Sequence, residues 1–138
     1  MNLSLFKTTS VKFVALLVTA ATFLTACSKK NNGPDFGAGY PKKVTIEYKV
    51  TSIEGNNPRA DISYTNETGA LTSGNKPLPF TVTVTRTIDY GGSFLLGVIT
   101  DNPGKIRLQI FADGKEVKKE EPSNSSGIVQ GSIVHSFQ

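Results

Sequence analysis

A chain of 138 residues with one cysteine, one histidine and no tryptophan is poor in the side chains that usually carry chemistry. One thiol closes no internal disulfide, and one histidine beside one cysteine makes no common metal set. Fifteen Lys and Arg against eleven Asp and Glu give a net charge of +4, with no basic stripe of the kind that binds nucleic acid.

The first residues carry Lys7 and Lys12 and no acid. FVALLVTAATFLTA, from Phe13 to Ala26, then runs without a charge. A helix needs about 20 apolar residues to cross a bilayer core, so this run is too short. A basic start, a short apolar middle and a small-residue end predict a secretory signal peptide over residues 1–26. About half of the net charge leaves with it.

Leu24-Thr25-Ala26-Cys27 closes that segment. It resembles the bacterial lipobox, an aliphatic residue and two small ones before Cys. The resemblance implies that the Cys27 thiol receives a diacylglyceryl group and that cleavage leaves Cys27 as the acylated first residue. Each buried CH₂ contributes about 0.8 kcal/mol, and several acyl chains make a stable anchor. The expected partner of this end of the chain is therefore a membrane.

SKKNNGPDFGAGYP, Ser28 to Pro41, has no apolar period and is rich in Gly, Asn and Lys. With Cys27 it reads as a flexible tether over residues 27–42. Lys29 and Lys30 either touch anionic headgroups, at about 1 kcal/mol each, or only solvate the tether.

Residues 43–138 read as one folded domain. In KVTIEYKVTS, Val44, Ile46, Tyr48 and Val50 alternate with polar residues, a strand with one wet face. After the EGNNP turn, Arg59 to Thr65 alternates again, with Ala60, Ile62 and Tyr64 on one side. A turn follows at Asn66–Gly69, then a short strand over Ala70–Ser73. In FTVTVTRTI the alternation predicts that Phe80, Val82, Val84 and Ile88 are buried and the threonines exposed. SFLLGVIT, Ser93 to Thr100, is nearly all apolar, as expected of a strand covered on both faces or in mid-sheet.

DNPG at 101–104 is a turn, and Ile106, Leu108 and Ile110 alternate after it. Asp113-Gly114 signals a hairpin. KEVKKEE returns from it with Val117 inward, its lysines protecting a sheet edge. SNSSG at 123–127 reads as loop. The last strand, Ile128 to Phe137, has Val129, Ile133 and Phe137 on the core face. No stretch after Ala26 shows a helical period. The pattern predicts an all-β, antiparallel immunoglobulin-like β-sandwich of about seven to eight strands.

The succession YKVTS, ADISYTNETG, LPFTVTVT, a Gly-led apolar strand and IRLQIFADGKEVKKEE resembles the mycobacterial membrane protein small family, MmpS. The likeness spans about Val44 to Val134. It implies a small β-sandwich outside the inner membrane that works beside large exporters, without catalytic residues. That family uses a membrane-spanning helix and a domain cysteine pair; this chain has a lipobox and no cysteine after Cys27.

Little in the sequence carries chemistry. His135 falls on or beside the core face and reads as structural. No serine sits in a G-x-S-x-G elbow, and the aspartates of 101–104 and 113–114 serve turns without calcium-ligand spacing. Tyr40, Tyr90 and Phe111 are the aromatics expected at the surface. Tyr48 and Tyr64 are expected in the core with hydroxyls at the rim.

The expectation is a lipid-anchored protein of the bacterial cell envelope, in the outer membrane and facing the periplasm. Its domain is a non-enzymatic interaction module for an envelope protein, an accessory to an export system, with no catalytic, cofactor or metal site. The alternative is a lipoprotein that binds a glycan or lipid. The loops at 66–69 and 101–104 and the KEVKKEE edge are the expected contact surfaces.

Overall fold

The computed structural model describes Gly37 and residues 39–138. Nine strands follow in order: β1 Lys42–Glu54, β2 Arg59–Thr65, β3 Leu71–Pro77, β4 Phe80–Ile88, β5 Ser93–Ile99, β6 Gly104–Ala112, β7 Lys115–Glu120, β8 Ser123–Asn124 and β9 Gln130–Ser136. They form two antiparallel sheets. The first has the order β4-β1-β6-β7, with β8 added to β6; the second is β3-β2-β5-β9. The fold is a β-sandwich.

Why these partners meet follows from the alternation. Val44, Ile46, Tyr48 and Val50 of β1 and Ile106, Leu108 and Ile110 of β6 point inward from the first sheet. Ile62 of β2, Phe94, Leu96 and Val98 of β5 and Ile133 of β9 meet them from the second. A register slip of one residue on any of these strands would turn its own apolar set to water. At roughly 1.5–3 kcal/mol per fully buried large apolar side chain, this layer dominates folding.

Five consecutive strands keep immunoglobulin order. β1 pairs with β4 as strand B pairs with E, β2 pairs with β5 as C with F, and β3 flanks β2 as C′ flanks C. The chain then departs from that order. β6 crosses to lie beside β1, where an immunoglobulin domain places its first strand, and β9 returns to take the place of the last.

Four expectations need correction. β3 runs to Pro77 rather than ending at Ser73, and Ser123–Asn124 pairs with β6 instead of being loop, so the strands number nine. Phe80 and Val82 are only half-buried, because β4 is the outermost strand of its sheet and has a neighbour on one side alone. The Tyr48 hydroxyl is not at the rim. It is buried and donates to the Thr65 carbonyl at 2.8 Å, and burial holds its pKa far above the ordinary phenol value.

Strand direction places the turn at 66–69 and the loop at 101–104 at opposite ends of the sandwich, so they make no common surface. The end with 101–104 is tightly joined. The Asn57 side-chain amide donates to the Pro103 carbonyl at 3.2 Å and accepts from the Asn102 N–H at 3.3 Å. Gly55 and Gly104 make this approach possible. Both have positive φ, and a Cβ on either would sit 2.2–2.3 Å from a backbone oxygen.

Candidate functional site

Cys27, Lys29 and Lys30, with the signal peptide and most of the tether, lie outside the described residues. Among the described residues no helix is long and apolar enough to cross a membrane, and no group of three or more His, Cys, Asp or Glu is placed to hold a metal ion.

The other candidates are placed as follows. His135 points inward on β9, half-buried, its ring edge-on to Phe137 at 4.6 Å. Burial lowers its pKa, and the nearby ammonium groups of Lys118 and Lys42 lower it further. Tyr40 and Tyr90 meet edge-to-face at 5.8 Å beside Lys42, whereas Phe111 lies on the first sheet beneath Lys49. The three aromatics therefore make no single stacking platform. Asp113 is a turn residue: its carboxylate accepts from the Thr45 N–H at 2.9 Å, and its φ is +49°.

The outward faces of the two sheets differ. On the first sheet the cross-strand rows are Thr83–Glu47–Phe111–Glu116 and Thr81–Lys49–Gln109–Lys119, with Arg107 beyond them. Its charges satisfy one another. Lys49 pairs with Glu47 at 3.2 Å, Glu121 takes Arg107 at 2.8 Å and Lys119 at 3.4 Å, and the Lys49 ammonium stands 4.5 Å from the Phe111 ring centroid. The Arg107 hydrogen bond holds the Glu121 carboxyl below the usual carboxylate range. This is a solvated face.

On the second sheet one row reads Ser73–Ser63–Gly97–Ser132 and the next Asn75–Asp61–Ile99–Gln130. On the other flank stand Leu71, Leu95 and Val134. Leu71 is 58% exposed, Val134 45% and Ile99 44%. The small residues leave a shallow open groove of about 480 Å³, floored by Ser63, Gly97 and Ser132 and walled by Leu95 and Ile99. Its polar groups are held in place: Ser63 and Ser73 share a 2.7 Å hydrogen bond, and the Asn75 amide donates to Asp61 at 3.0 Å.

Gly97 is the informative residue. Glycine in a strand interior costs entropy and packs nothing. Here the fold does not require it. Its φ lies outside the left-handed region, and a Cβ would meet only ordinary contacts, the nearest at 3.8 Å. What the missing side chain does is leave the groove floor bare. Mid-strand glycines mark bulges, tight bends or close approach by a ligand or another backbone, and β5 pairs with β9 without a bulge.

This face was absent from the sequence-level candidates. β5 does lie in mid-sheet, as one of the two expectations for SFLLGVIT had it, yet no described strand covers its outer side. The signal was present in the glycine interrupting that apolar run.

No protein-family model matches the chain, and no curated protein matches it either.

Proposed function

We propose that this protein is a lipid-anchored component of the bacterial cell envelope whose domain binds a protein partner and turns over no substrate. Cys27 is the lipidated residue in this reading, and the domain stands off the outer membrane on the periplasmic side. The observation that carries the binding role is the bare floor at Gly97 between the exposed apolar residues Leu71, Val134 and Ile99. Exposed apolar surface rimmed by polar groups is characteristic of docking sites. The resemblance to the MmpS family supports an accessory role beside an export system. A glycan or lipid ligand is less well served, since no aromatic ring lines the groove.

The test is crosslinking in intact cells, with a photoreactive residue at Ser132 or Gln130. A discrete protein adduct from these positions, lost when Gly97→Val fills the floor, is the expected result. No protein adduct, together with a small molecule retained by the purified protein in native mass spectrometry, would replace this reading with the ligand-binding one. Membrane attachment is tested separately: Cys27→Ala should abolish palmitate labelling and release the protein from membranes.

A further inference from the structure

A β-sandwich of this kind has four edge strands, and exposed edges are templates for unwanted pairing unless something blunts them. Three of the four are blunted here. β7 carries Lys115, Lys118 and Lys119, and its register with β6 shifts between Ile110 and Phe111. β3 carries Gly74, Lys76 and Pro77. β9 lies against β7 of the opposite sheet, with Pro122 packed where a Cβ on Gly131 would fall.

β4 has none of these devices. Its nine residues pair with β1 in unbroken register, from Val50 opposite Phe80 to Lys42 opposite Ile88. FTVTVTRTI contains no proline, glycine or lysine. Thr81, Thr83, Thr85 and Thr87 are exposed on its outer side, where they add β propensity and no charge. Alternate N–H and C=O groups point away from β1, and no backbone of the described residues meets them. Phe80 and Val82 are left half-buried along this open side.

The one charge on the strand faces inward. The Arg86 guanidinium lies 6.0 Å from the Phe94 ring centroid and over the turn at Gly69, where a Cβ would come 2.6 Å from it. Among the described residues it has no carboxylate partner. A half-buried guanidinium with no carboxylate of the described residues beside it is the complement of an incoming acid.

We infer that β4 accepts, by strand addition, an extended segment of a partner protein that alternates apolar and polar residues and brings a carboxylate to Arg86. The added strand extends the first sheet, pairs the free backbone of β4 and covers the exposed flanks of Phe80 and Val82. Two copies of this chain are the other conceivable pair. For like faces to meet, their β4 strands must run antiparallel. FTVTVTRTI holds no acid, so β4 of a second copy would bring no carboxylate to Arg86, and the occupant is a different chain. The inference rests on the reading of the domain as an anchored interaction module, and it concerns a different surface from the Gly97 face.

The test uses the full chain in detergent and two synthetic peptides. Both alternate threonine and valine; one carries glutamate at the position that pairs with Arg86, the other lysine. Amide hydrogen exchange at alternate residues between Phe80 and Ile88 should slow with the glutamate peptide. The lysine peptide should bind about tenfold more weakly, a difference of about 1.4 kcal/mol. Arg86→Glu should invert that preference, and N-methylation of the peptide's pairing amides should abolish binding by either. Unchanged exchange along β4, or binding indifferent to N-methylation, would overturn the inference. So would slow exchange along β4 in the peptide-free chain accompanied by a dimer, which would name the second copy as occupant. The effect of Gly97→Val on cellular crosslinking reports on the other sheet, so the two readings fail separately.

Discussion

The two sheets bury similar side chains against each other and present opposite surfaces to the outside. Outward from the first sheet come threonines and charges that neutralise one another, as Lys49 does with Glu47 and Arg107 with Glu121. Outward from the second come Leu71, Leu95, Ile99 and Val134 around a floor of serines and a glycine, with Arg59 and Asp61 the charged residues. Propensity does not explain the difference, since both are regular antiparallel sheets with a central apolar strand. On the proposed reading one face remains in water and the other is covered by a partner.

The inner faces of the two sheets are alike, and truncations there should cost most. Leu96→Ala in β5 and Ile110→Ala in β6 remove fully buried side chains from opposite sheets. Each should cost about 2–5 kcal/mol in denaturant titration. A much smaller cost on one sheet would mean that the difference between the sheets reaches inward. On the outer faces, Gly97→Val should leave stability unchanged or raise it by up to about 1 kcal/mol through β propensity, while crosslinking to the partner from Ser132 falls at least about tenfold. Thr83→Val on the first sheet should affect neither.

A smaller effect sharpens the position of β4. Val82 is half-buried and Val84 buried. Val84→Ala should therefore cost more than Val82→Ala, which should cost about 1 kcal/mol, and Thr83→Ala should stay within about 0.5 kcal/mol. Equal losses at 82 and 84 would place β4 inside a sheet instead of at its edge.

The smallest effect concerns pH. Burial beside Lys42 and Lys118 lowers the His135 pKa in the folded state. The unfolded chain, with an ordinary pKa of about 6.5, then binds more protons just below neutrality. The contribution is full above the unfolded value and is lost as pH falls through the lowered folded one. His135→Asn should flatten this segment of the stability profile, as followed by thermal unfolding between neutral and mildly acidic pH.

Much of the fold was legible because strand alternation was clean. Val44 to Val50 and Ile106 to Ile110 announce which side is buried, and turn residues such as Asp113-Gly114 fix where the chain reverses. The order of strands within the sheets was not legible. Nothing local in FTVTVTRTI says that one flank lacks a neighbour, so Phe80 and Val82 read as core. The Ser73–Ser63–Gly97–Ser132 row was likewise invisible, because its members come from four strands and meet only through long-range register. The lysines of β7 were readable as edge protection because charge on an edge works through composition alone.

On the proposed reading the outer face of the second sheet is covered in the cell and the outer face of the first is not. Side-chain oxidation footprinting tests it directly, by comparing intact cell envelopes with the purified protein. Leu71, Ile99 and Val134 should label readily in the purified protein and be protected in envelopes, while Phe111 on the first sheet labels equally in both. Equal labelling of Leu71, Ile99 and Val134 in the two samples, or protection of Phe111 alone, would overturn that reading.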